Sequence, residues 1–72
     1  MAALVMNQAE KGERYARIFR KAGTFIGKSN LARAVEVLKE GESLAVSLGD
    51  TAMAKRFAVE IERLQSSSKT QQ

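Results

Sequence analysis

The stretch Phe25-Ile-Gly-Lys-Ser-Asn-Leu-Ala-Arg-Ala-Val-Glu-Val-Leu-Lys-Glu-Gly-Glu-Ser-Leu-Ala-Val-Ser-Leu-Gly-Asp50 decides the fold. Phe25 and Ile26 close one amphipathic helix, and Gly27 to Asn30 break it. Gly27 is free to turn left-handed there, and Ser29 or Asn30 can cap the next helix. From Leu31 to Leu48 the apolar residues recur at helical spacing: Leu31, Ala34, Val35, Leu38, Gly41, Ala45 and Leu48, widened by Val37 and Leu44. Arg33, Glu36, Lys39, Glu40 and Ser43 fill the opposite, wet face. Gly49 is a helix stop, and Asp50 is a natural cap for a further helix. Small residues set into an apolar stripe mark a hairpin that packs closely on its neighbours.

Outward from this hairpin the same period continues. Asn7 followed by Glu10 fits a helix start, in which Asn accepts from the free amides. Tyr15, Ile18, Phe19, Ala22, Phe25 and Ile26 then share an arc of about 120° at ~100° per residue. Glu10–Arg14 and Glu13–Arg17 are i,i+4 pairs in the favourable order. Beyond Asp50, a third helix over 51–65 buries Met53, Ala54, Phe57, Ala58, Ile61 and Leu64. The pattern predicts an all-α, antiparallel three-helix bundle over 7–65, with helices at 7–27, 31–48 and 51–65. An apolar stub at 1–6 precedes it, and a polar tail at 66–72, expected to be disordered, comes after it.

With 72 residues the chain holds one domain, near the lower limit for a self-sufficient core. Cysteine and histidine are both absent. That removes disulfides and ordinary zinc sites, and no cofactor or metal is expected. No run reaches the roughly 20 apolar residues of a membrane span, so a soluble protein without membrane contact is expected, and the lack of cysteine is compatible with the cytoplasmic location expected for it. The net charge of +4 is concentrated in the first helix, where Lys11, Arg14, Arg17, Arg20, Lys21 and Lys28 outnumber Glu10 and Glu13.

From Tyr15 to Asp50 the pattern resembles a tetratricopeptide repeat, a helix–turn–helix unit of about 34 residues. Ala22-Gly23 and Phe25 stand at the small and aromatic positions of its first helix. Lys28-Ser-Asn-Leu31 occupies the turn, Ala34 the small position of the second helix, and Ala45-Val-Ser-Leu-Gly-Asp50 is similar to the family's Leu-Gly-Asp ending. Lys21 and Ile18 depart from the family's Leu and Trp. Phe57 to Leu64 resembles the start of a second repeat, and Ala54 to Leu64 is more loosely similar to the last helix of microtubule-interacting-and-transport domains. The resemblance implies a non-catalytic scaffold whose first helix turns Ala16, Phe19, Gly23, Ile26 and Gly27 towards an apolar helix or segment. One and a half repeats fall short of the roughly three that stabilise an array, which points to a unit that closes on itself or forms a homodimer.

Gly12, Ala16, Gly23 and Gly27 line one side of the first helix. They serve either close packing of the third helix or a seam for a protein partner, including a second copy. Arg14, Arg17, Lys21 and Lys28 form a basic stripe within about 60° of arc. A solvated face or an acidic contact is its first use; nucleic-acid binding is the alternative function. Ala22 to Ser29 formally satisfies a relaxed phosphate-loop pattern, but a helix, not a strand, precedes it. No catalytic residue and no small-molecule substrate is expected, because an enzyme here would depend on Lys, Tyr, Ser and carboxylates in a cleft that three helices hardly supply.

Overall fold

The computed structural model describes residues 7–70, with side chains as far as Ser66. Three helices succeed one another: α1 (Gln8–Gly27), α2 (Leu31–Ser47) and α3 (Thr51–Thr70). No strand occurs among the described residues. The stub at 1–6 and the last two residues of the expected tail lie outside them.

Each start is capped by the side chain the sequence offers. Asn7 Oδ1 accepts from the Glu10 amide at 2.8 Å, Asn30 Oδ1 from Arg33 at 3.3 Å, and Asp50 Oδ1 from Met53 at 3.2 Å. Both connections close with the same pair of bonds. In the first, the Ser29 amide donates to Ile26 and the Asn30 amide to Phe25; in the second, Gly49 donates to Val46 and Asp50 to Ala45. This motif needs one left-handed residue. Gly49 supplies it in the second turn, with φ of 72°, but in the first it is Ser29, at 60°, rather than Gly27. Gly27 remains inside α1 as its last residue. The position that must turn is fixed by where Asn30 caps α2, and it falls two residues after Gly27.

A second difference lies at the C-terminus. α3 runs to Thr70, well past the expected end at Gln65. No glycine or proline interrupts Gln65 to Thr70. Serine costs well under 1 kcal/mol per helical position, and an existing helix propagates far more easily than it nucleates.

The backbones of α1 and α3 each pack against α2, so α2 is the central helix. It accordingly buries the most positions: Ala34, Val37, Leu38, Gly41 and Ala45. Tyr15 and Ala22 come in from α1, Phe57 and Ile61 from α3. α1 and α3 meet through aromatic side chains. Phe57 is the one large side chain with no exposed surface among the described residues. Its ring stacks on Phe19 with centroids 4.7 Å apart and planes 8° apart, and meets Tyr15 edge-on at 5.7 Å. On α2 the same ring occupies the space over Gly41. A Cβ there would fall 2.9 Å from Cδ1 of Phe57 and nearer still to Cζ and Cε1. Complete burial of a phenylalanine stabilises by about 2–3 kcal/mol, and each well-placed aromatic pair adds roughly 0.5–1.5 kcal/mol.

Two substitutions separate these effects. Gly41→Ala is expected to lower the urea midpoint, because overpacking of about 1–3 kcal/mol outweighs the roughly 1 kcal/mol of helix propensity gained. Ser29→Gly is expected to raise stability by up to about 1 kcal/mol by relieving the left-handed serine. A stabilised Gly41→Ala variant would show that Phe57 does not sit there.

Candidate interaction face

The residues singled out on α1 separate onto two flanks of the helix. Gly12, Gly23 and Gly27 are exposed, and a Cβ built on any of them meets nothing within 4 Å. Close packing of α3 is therefore not what these three glycines serve. Ala16 is half-buried beside them, and Ile26 remains 42% exposed although it belongs to the apolar arc of the sequence. The cause is the side-to-side spacing of α1 and α3: α3 reaches α1 through the Phe57 ring, which covers Phe19 and leaves the residues beyond it open. Phe19 itself is shared. It is half-buried against Phe57, and the Arg56 guanidinium lies over its ring at 5.6 Å.

On the other flank, Arg14, Arg17 and Lys21 are exposed, and Lys28 sits at the C-cap of α1. Arg17 approaches Glu13 at 3.8 Å with both side chains about 70% exposed, a geometry worth little. A shallow groove between α1 and α2 is lined by Arg14, Arg17, Ile18, Glu40 and Leu44. The Glu40 carboxylate thus borders the cations that the stripe would offer to phosphates. A second open cleft of about 360 Å³ lies between α2 and the far half of α3, among Leu31, Val35, Lys39 and Leu64. Glu36, Lys39 and Gln65 are its polar lining. Among the described residues no group of three or more His, Cys, Asp or Glu is placed to hold a metal ion. No helix there is long and apolar enough to cross a membrane.

One polar cluster was not paired by sequence reasoning. Tyr15 donates its hydroxyl to Oδ2 of Asp50 at 3.1 Å, and Lys11 Nζ approaches the same oxygen at 3.3 Å. Asp50 caps α3 with its other oxygen, so one carboxylate joins α1 to the α2–α3 connection. The contact also fixes α1 antiparallel to α2, since the early part of α1 meets the end of α2. Lys11 and Tyr15 are one turn apart, and a pair of that spacing facing the second turn was the available signal. The three groups satisfy one another, so the cluster is a tie and presents no free nucleophile or base.

None of the protein-family models, curated proteins or solved structures compared with the chain matches it.

The tie carries a pH signature. The Met53 amide, helped by Tyr15 and Lys11, holds the Asp50 carboxyl below its ordinary value, against a smaller opposing effect of burial. Burial, with the hydrogen bond to Asp50 and its charge, raises the Tyr15 hydroxyl above 10.0. The Asp50 contribution is thus complete above its unfolded pKa near 4 and is lost as pH falls through the lowered folded value. The Tyr15 contribution is complete below about pH 10 and is lost as pH rises through the raised value. Tyr15 is the single tyrosine. Phenolate absorbance is expected to titrate above the ordinary range, and Asp50→Asn to bring the midpoint down. An unchanged midpoint in that variant would count against the tie.

Proposed function

We propose that the chain is a non-catalytic protein–protein interaction module, a scaffold or adaptor piece. Its plan is similar to a tetratricopeptide hairpin followed by the first helix of a second repeat. The contact surface is the uncharged side of α1, formed by Gly12, Ala16, Gly23, Ile26 and Gly27 with the edge of Phe19. The observation that carries this reading is a contrast between glycines. Gly41 is filled by Phe57, whereas Gly12, Gly23 and Gly27 face open space. Glycine in a helix interior costs about 1 kcal/mol relative to alanine. Gly12 and Gly23 are such a cost without return inside the monomer, and with Gly27 at the helix end they let a second backbone approach closely. The guest this surface suits is an apolar helix, since α1 places no charged residue within it and Arg56 of α3 reaches it only over Phe19.

Gly23→Leu tests the reading. The variant is expected to keep its helicity and to melt no lower than the parent, because leucine is the better helix former, position 23 is exposed and a Cβ there meets nothing within 4 Å. Panning a displayed library of amphipathic helices is expected to enrich apolar sequences on the parent chain and none on Gly23→Leu. Equal enrichment on both, or none on either, overturns the proposal. The competing use of Arg14, Arg17, Lys21 and Lys28 makes the opposite forecast: oligonucleotide binding that weakens steeply as salt rises. On the interaction reading no such binding is seen at low salt.

A further inference from the structure

We infer that the occupant of the α1 face is α1 of a second copy, packed antiparallel about a two-fold axis between residues 17 and 18. The inference rests on the reading of α1 as the contact surface and adds the partner. Ala9, Gly12, Ala16, Phe19, Gly23 and Ile26 succeed one another at spacings of three and four, the repeat of a helix seam that packs against another helix. At ~100° per residue they fall within about 100° of arc, on the side that α2 leaves uncovered. All but Ala16 and Phe19 are exposed, and those two are half-buried.

The order of sizes chooses the orientation. Antiparallel pairing about the centre sets Phe19 against Ala16 of the second copy, Ile26 against Ala9, and Gly12 against Gly23. Each large side chain then meets a small one. Parallel pairing would set Phe19 on Phe19 and Ile26 on Ile26, holding the helices apart where the glycines would otherwise close.

Charge agrees with size. Glu13 and Arg20 border the seam on the same edge, and both are exposed. In the antiparallel pair Glu13 of each copy lies beside Arg20 of the other, so two opposite-charge contacts form by symmetry. The other seam positions of α1 are uncharged, and the one further cation placed against them is Arg56 of α3, over the Phe19 ring at 5.6 Å.

The extent of the surface sets the strength. A helix of 20 residues is about 30 Å long. A strip roughly 10 Å wide on each copy gives about 600 Å² in total, below the 1,200–2,000 Å² typical of tight complexes. The dimer is therefore a reversible one whose population rises with concentration.

Sedimentation equilibrium from about 1 μM to about 1 mM covers the range in which such an association shows. The parent chain is expected to pass from monomer to dimer. Glu13→Arg and Arg20→Glu, each alone, are expected to weaken dimerisation at least tenfold, because each sets like charges together twice. Mixing the two variants restores opposite charges at both contacts and is expected to give a heterodimer close to the parent in strength. Loss of folding in either variant cannot produce that rescue. A parent chain that stays monomeric throughout, or single variants that dimerise as the parent does, overturns the inference. So does a mixture that stays monomeric while both variants keep the helicity of the parent. A monomeric parent that still enriches helices lost on Gly23→Leu would sink the dimer alone, whereas failure of that selection would sink the wider reading.

Discussion

The seat of Phe57 on Gly41 is the constraint on which the rest of the molecule depends. Three helices of this length bury few large side chains, and Phe57 is the one that disappears completely. It touches all three helices at once. Gly41 lets the ring reach the surface of α2, Phe19 stacks on it, and Tyr15 meets it with an edge. Because the ring spans from α3 to α1, those two helices need no close backbone contact. Their separation in turn leaves the far side of α1 bare.

Polar contacts then fix what the aromatic cluster leaves free. Asp50 ends the second turn, caps α3, and holds Tyr15 and Lys11 of α1. Apolar packing alone resists sliding of one helix along another only weakly. A single half-buried carboxylate with three donors sets the height of α1 against the turn. Tyr15 belongs to both systems, its ring to the aromatic cluster and its hydroxyl to the tie.

The function proposed comes from the leftover surface, not from any chemistry held in a cleft. In a bundle this small, glycines are expected where helices approach most closely. One of them, Gly41, does that inside the chain. Gly12, Gly23 and Gly27 face open space, and in the proposed function they serve the same kind of approach for a helix from outside the fold. The basic flank of α1 is separate from this side and is bordered by Glu40 of α2.

Helical period, caps and stops are local, so the sequence by itself determined three helices, the caps Asn7 and Asp50, a choice of Ser29 or Asn30 for the third cap, and the antiparallel order forced by short turns. It also marked Phe57 and Gly41 as core, each from its own place on a wheel. It did not tell that they touch, because that depends on the relative heights of two helices. Ser29 rather than Gly27 as the left-handed residue, and the run of α3 to Thr70, turned on energy differences of about 1 kcal/mol that composition does not rank. The fate of the small residues on α1 was open for a related reason. Whether a glycine ridge is filled or empty depends on which side of α1 the third helix takes. Tertiary structure decided that, through one ring that placed α3 beside Phe19 and left Gly12, Gly23 and Gly27 facing outward.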